Sequence, residues 1–169
     1  DGECSVRDKE GTESMNARIL QDALVADLKE LFKNRRFHTP TGDDTALSVF
    51  AQNLPKRESE DDDDPFPYII ARIDSGAIES QTDPHKVAVL LLVGVYDDDT
   101  KNQGHRGVLE ILEVIQQHYE ETPLLDGQFT FTDPFNWALQ DEESYPYFFG
   151  AANLTFELPA PRRKWSELV

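Results

Sequence analysis

From Met15 to Arg36, Leu20, Leu24, Leu28, Leu31 and Phe32 recur at helical spacing, which predicts an amphipathic helix with one apolar stripe. Lys33, Arg35 and Arg36 gather where the negative end of its dipole would fall. A second helical period runs from Gly107 to Tyr119 through Val108, Ile111, Leu112, Ile115 and Tyr119, and Pro123 prevents its continuation. Elsewhere the period is two. Leu47, Val49 and Ala51 alternate with Ser48, Phe50 and Gln52, the mark of a half-buried strand. Pro65 and Pro67 impose extended backbone ahead of a strand from Tyr68 to Ile73. A polar connection at 74–86, with Gly76 and Pro84, leads to the nearly continuous apolar run 87–96, which predicts a central strand covered on both faces. After the turn signal Asp126-Gly127, Phe129 and Phe131 alternate with threonines. Phe135, Trp137 and Leu139 alternate across Asp133-Pro134, which predicts an antiparallel hairpin. A last strand from Phe149 to Leu158 ends at Pro159 and Pro161. The order α-β-β-β-α-β-β-β has too few helices for repeated βαβ units. It predicts an α+β fold, a mainly antiparallel β-sheet packed by two principal α-helices.

Composition sets the frame around those elements. The 169 residues, 38% hydrophobic and 10% aromatic, suit one folded domain with polar extensions, placed at 15–159. Residues 1–14 are polar, with two glycines and no apolar period, and are expected to be a disordered N-terminal extension upstream of a natural start at Met15. Residues 160–169 form a basic C-terminal tail. The net charge is −17, from 33 acidic and 16 basic residues. That excess serves solubility and self-repulsion, and it argues against broad binding to duplex DNA or anionic membranes, which needs Lys and Arg to displace counterions. Glu58, Glu60 and Asp61 to Asp64 place six carboxylates in seven positions, a self-repelling run expected in an exposed loop. Cys4 is the single cysteine, so no intramolecular disulfide can form and a reducing compartment is the simplest setting. The run 87–96 is too short to span a bilayer, and the chain reads as soluble and intracellular when made.

No catalytic, cofactor-binding or metal-binding residue is assigned, and the chain is read as a non-enzyme. The Asp61–Asp64 run lacks the ligand–spacer alternation and glycine turn of a calcium loop. Tyr96-Asp97-Asp98-Asp99 superficially resembles strand-end magnesium aspartates, but no phosphate-binding partner follows, and turn-forming acids are the simpler reading. His38, His85, His105 and His118 fall in separate segments without zinc-protease spacing, and no Gly-x-Ser-x-Gly elbow is present. Gly104-His105-Arg106-Gly107 reads as a turn leading into the second helix, with His105 at a conceivable subunit contact. The one basic, aromatic-bearing stretch is Arg162, Arg163, Lys164 and Trp165. It suits either docking onto an acidic neighbouring subunit or a frayed end.

Taken in order, several stretches resemble the tail-terminator (tail completion, or tail-to-head joining) proteins of long-tailed bacteriophages and prophages. They are Phe-Pro-Tyr-Ile-Ile-Ala-Arg (66–72), the apolar strand ending Gly-Val-Tyr-Asp-Asp (94–98), and Gly-His-Arg-Gly-Val-Leu-Glu-Ile-Leu-Glu-Val-Ile (104–115). Gly-Gln-Phe-Thr-Phe (127–131), Trp137-Ala138-Leu139 and Tyr-Pro-Tyr-Phe-Phe-Gly (145–150) complete the series. The resemblance covers somewhat over half of the chain. It implies a small α+β subunit of the virion tail, made in the host bacterial cytoplasm, that assembles into a ring, typically a hexamer, at the head-proximal end of the tail tube. Such a ring ends tube polymerisation and offers the head-joining surface. Its implied partners are other copies of itself, the tail tube protein and a head-completion or connector protein, with no cofactor, no sequence-specific nucleic acid and no membrane. Acidic lumen walls would let DNA slide through without holding it. A head–tail connector or neck protein is the alternative, followed by a metal-dependent enzyme or an acidic DNA mimic. The densest acids sit in one expected loop and are not spaced along a helix or strand, which weakens the mimic.

Overall fold

The computed structural model describes residues 16–38, 44–61 and 65–159. Met15, the expected extension at 1–14 with Cys4, Asp62 to Asp64, and the tail at 160–169 lie outside the described residues. Asn16 opens the first helix, and its side-chain oxygen accepts from the Ile19 amide at 3.0 Å, satisfying one of the amides a helix start leaves unpaired. Helix α1 (Ala17–Phe32) then turns Leu20, Leu24, Leu28 and Phe32 inward, all buried, while Leu31 stays half-buried. The helix stops short of Arg36. The Arg35 amide bonds back to the Phe32 carbonyl at 3.1 Å, and Lys33, Arg35 and Arg36 stand exposed at this end. A short pair, β1 (Phe37–His38) with β2 (Asp44–Thr45), follows as a separate antiparallel ribbon.

The main sheet has six strands. They are β3 (Ser48–Ala51), β4 (Tyr68–Ala77), β5 (His85–Tyr96), β6 (Leu124–Leu125), β7 (Phe129–Leu139) and β8 (Tyr147–Leu158), in the spatial order β3-β4-β5-β8-β7-β6. Helix α2 (His105–Glu121) lies between β5 and β6 in sequence, and its inward residues are the expected Val108, Ile111, Leu112, Ile115 and Tyr119. The fold is therefore α+β, as expected. Its sheet is mixed, because β3 pairs parallel to β4 while the other four pairings are antiparallel. A parallel pair needs a connection that returns to the starting end, and residues 52–67, with the acidic run, supply it. Glu58, Glu60 and Asp61 are exposed within that connection.

Both helices pack on one face of the sheet. Leu20, Leu24 and Leu28 of α1 and Ile111, Leu112 and Ile115 of α2 share one core with Ile69 and Ala71 of β4, Val89, Leu91 and Val93 of β5, and Leu154 and Phe156 of β8. Helix α1 lies against β3 and β4 at one edge and also reaches β6 at the other, so the sheet curls around its helix side. Small residues bring α2 close. A Cβ on Gly150 of β8 would stand 2.5 Å from Val108 Cγ1, and one on Gly104 would meet the Phe148 ring at 2.3 Å.

Three expectations change. Strand β5 is central, flanked by β4 and β8, but it is not covered on both faces: Val87, Val89, Leu91, Val93 and Val95 are buried, whereas Ala88, Leu90 and Leu92 are half-buried. Strand β4 runs on to Ala77 through residues assigned to a connection, because a bulge between Ile73 and Ser75 absorbs Asp74 and solvent accepts the polar side chains there. The hairpin at Asp133-Pro134 is instead a bulge within β7, which pairs along β8 on both sides of it. Proline lacks an amide donor, so the unpaired bulge accommodates it. The true turn is Asp126-Gly127, where φ values of 53° and 66° give the left-handed pair that Asp-Gly tolerates, and Leu125 then pairs with Phe129.

Candidate functional site

The face of the sheet turned away from the helices carries the most distinctive chemistry among the described residues. Alternation along each strand sends every second side chain to it, and the register aligns them across the sheet. Phe50, Ile70, Leu92, Ala151 and Ala138 form one apolar row across five strands. The adjacent row is Ser48, Tyr68, Gly94 and Phe149. Moving the other way along the strands, Arg72, Leu90, Asn153 and Asn136 come next, then Ser75, Ala88, Thr155 and Thr132. The open face is thus graded, apolar and aromatic at one end and polar at the other.

The aromatic end is assembled from distant segments. Phe66 sits 4.7 Å from Tyr147, 5.0 Å from Tyr68 and 5.8 Å from Phe149, centroid to centroid, and Tyr147 packs edge-on to Tyr96 at 5.6 Å. Gly94 makes room for this cluster, since a Cβ there would lie 2.5 Å from Tyr68 Cζ. Tyr68 and Ile70 are buried yet stand outside the helix-side core, while Phe66, Tyr147 and Phe149 remain half-buried. Tyr145, exposed nearby, donates to the Asp98 carbonyl at 2.6 Å and ties the β7–β8 connection to the end of β5. These rings pack on one another outside the helix-side core and give this face of the sheet an apolar end. The sequence signal for this cluster was the repeated pattern of aromatics around a proline, Phe66-Pro67-Tyr68 and Tyr145-Pro146-Tyr147. The convergence of the two was not legible before the register was known.

The other candidates resolve into structural roles. Asp97 and Asp99 accept from the amides of Asp99 and Lys101 at 3.0 and 2.9 Å, the geometry of turn-forming acids. His85, His105 and His118 sit on separate elements, and no three His, Cys, Asp or Glu side chains gather into a metal site among the described residues. The side chain of His38 and all of Arg162, Arg163, Lys164 and Trp165 lie outside the described residues. His105 lines a groove at the β7–β8 connection.

His118 belongs to a cluster that sequence reasoning missed. Its Nε2 lies 2.8 Å from Asp27 Oδ2, and the Tyr119 hydroxyl donates to the same oxygen at 2.9 Å. Burial first, and then the Asp27 carboxylate, push the Tyr119 phenol far above the usual tyrosine range. Both contacts fall on one carboxylate oxygen and join α2 to α1, so the trio works as a clamp between helices. A broad groove of about 850 Å3 runs beside it along α1, with Arg18 facing Asp22, Asp27 and Asp126 around Ile19 and Ala23.

No protein-family model matches the chain, and no curated protein matches it either. No helix among the described residues is long and apolar enough to cross a membrane.

Proposed function

We propose that this chain is a structural virion protein, a tail terminator that caps the head-proximal end of a phage tail tube as a ring and presents the head-joining surface. The observation that carries the reading is the aromatic end of the sheet face turned away from the helices, where Phe66 and Tyr147 from two Pro-flanked motifs meet at 4.7 Å. Those motifs are among the stretches that resemble the tail-terminator family. Gly150, which closes the Tyr147 stretch, and Gly104, which opens another, set the close approach of α2 to the sheet. A subunit that stops a growing tube needs two unlike faces, one for the tube and one for the head side, and a heterologous contact that closes into a ring. A one-sided α+β layer supplies unlike faces by construction: apolar and aromatic on the open sheet, with exposed acids such as Asp22, Glu30, Glu110 and Glu113 on the helices. On this reading the protein has no catalytic step, its partners are its own copies, the tube protein and a connector, and it resides in the virion tail.

The test is to polymerise a phage tail tube protein with and without the purified chain and to measure tube lengths by electron microscopy. Short tubes bearing extra density at one end support capping. Unchanged tube lengths together with binding to the portal-side complex would assign the chain to the connector or neck class instead.

A further inference from the structure

Strand β7 leaves part of one sheet edge open. Strand β6 covers only its first residues, pairing Leu124 with Thr130 and Leu125 with Phe129, and the Phe131 amide donates to the Pro123 carbonyl at 2.8 Å. Beyond the bulge at Asp133-Pro134, β7 continues to Leu139 with β8 on one side and no strand among the described residues on the other. One bond fixes which way its main chain points: the Gln140 amide donates to the Phe149 carbonyl at 3.0 Å. Bonded and unbonded pairs alternate in an antiparallel ladder. Ala138 and Asn136 therefore turn their N–H and C=O to β8, and Leu139 and Trp137 turn theirs outward. No described residue hydrogen-bonds to those outward groups. Asn136, Trp137 and Ala138 are exposed, and the Trp137 indole stands outside the core. The opposite edge is treated differently. Where β3 ends, the Gln52 carboxamide stands in for a further strand residue, accepting from the Ile73 amide at 3.0 Å and donating to the Ile73 carbonyl at 3.3 Å. Gln21 donates to the neighbouring Ala71 carbonyl at 2.8 Å. Natural sheets guard their edges with charges, prolines or covering groups, and the stretch from Phe135 to Leu139 has none of these.

An open main-chain edge fits an extended segment, which adds to it as a further strand. Charge decides what kind of segment. The stretch 135–139 is uncharged, but Asp133 and Asp141 stand exposed at its two ends. At the Asp133 end a groove of about 580 Å3 opens beside Thr132, walled by Tyr119, Glu120 and Pro123. A second copy of this chain suits the edge poorly. Pairing two β7 edges about Trp137 would set Asp133 of one copy opposite Asp141 of the other at both ends, and like charges facing across a ladder are destabilising. We propose that the edge at 135–139 takes an extended segment of a different protein, uncharged in its middle and bearing Lys or Arg at each end. Its main chain pairs with the outward groups of Trp137 and Leu139, and an apolar side chain lies on the Trp137 indole. This docking uses neither the aromatic end of the open face nor ring closure, so it stands apart from the tail-terminator reading.

The probe is the end-capped peptide Lys-Thr-Val-Thr-Val-Thr-Val-Thr-Lys, long enough to set a lysine opposite each of Asp133 and Asp141. Added at millimolar concentration to the full-length protein, it should slow amide hydrogen exchange at Trp137 and Leu139, read residue by residue by nuclear magnetic resonance. Asn136 and Ala138, already bonded to β8, should not change. Unaltered exchange at Trp137 and Leu139 overturns the proposal, and so does protection confined to the β4 edge. Methylating the peptide nitrogens that face β7 should abolish the effect, and binding that survives methylation counts against strand addition. Asp133→Lys with Asp141→Lys should weaken the Lys-ended peptide roughly tenfold and favour a Glu-ended counterpart, the scale of two exposed ion pairs. An unchanged preference overturns the basic-ended partner. Sedimentation tests the rival occupant. If the parent dimerises without peptide and Trp137→Pro, which removes one outward amide, is a monomer, the edge belongs to a second copy and the proposal falls.

Discussion

Tyr119 ends a fully buried ring with a hydroxyl that donates to the Asp27 carboxylate at 2.9 Å, and its ring meets Phe156 edge-on at 5.6 Å. Tyr119→Phe keeps the ring and removes the donor, so it should cost about 2 kcal/mol in urea unfolding, the scale of a hydrogen bond to a charged group. The pH dependence has a definite sign. The folded phenol is raised above its unfolded value, so the stability it adds is complete below about pH 10 and is lost as pH climbs further, because unfolding then releases a proton that the folded side chain still holds. Between pH 10 and 11 the parent should lose up to about 1.4 kcal/mol more than Tyr119→Phe does. Equal alkaline slopes in urea titrations of the two proteins would refute this account. Gly150→Ala is a second probe at this scale. Its added methyl would press on Val108 at 2.5 Å and on the Ala138 carbonyl at 3.2 Å. Overpacking at the seam between α2 and β8 should lower stability by about 1–3 kcal/mol by the same measurement.

Among the elements, β5 separates what was legible in the sequence from what was not. Leu91 and Leu92 are chemically identical neighbours that point to opposite faces, one fully buried in the core and the other half-buried on the open sheet. Leu91→Ala should destabilise the chain by about 2–5 kcal/mol. Leu92→Ala should cost less than Leu91→Ala and, on the proposed capping role, weaken capping instead, which calorimetric unfolding and a tube-capping assay can read separately. A continuous apolar run identifies a central strand correctly but cannot say whether its second face is covered by this chain or by another. Helix α2 was legible to the residue because Val108, Ile111, Leu112, Ile115 and Tyr119 define a face by local period alone. The parallel pairing of β3 with β4, the bulge at Asp133-Pro134 and the meeting of Phe66 with Tyr147 depend on where the chain travels between segments, and no local pattern carries that. The same holds for the clamp: Asp27 and His118 are 91 residues apart, and only the packing of α1 beside α2 brings them together.

At the scale of the molecule, the fold divides its apolar side chains between a helix-side core and an aromatic cluster on the opposite face of the sheet. If the chain caps a tail tube as proposed, Phe66→Ala and Tyr147→Ala together should preserve the far-ultraviolet circular dichroism spectrum and a cooperative thermal transition while abolishing control of tube length. Tube lengths that stay short with this double variant would show that the aromatic end is not the tube-facing surface. The curl of the sheet then limits what such a partner can look like. Helix α1 touches strands at both edges, so the helices occupy the hollow of the curve and the open face bulges outward. A bulging surface meets a flat one only along a narrow line and meets another bulge at little more than a point. Extensive burial of the open face therefore calls for a cupped receptor, which a single flat wall cannot provide and a seam between two adjoining molecules can.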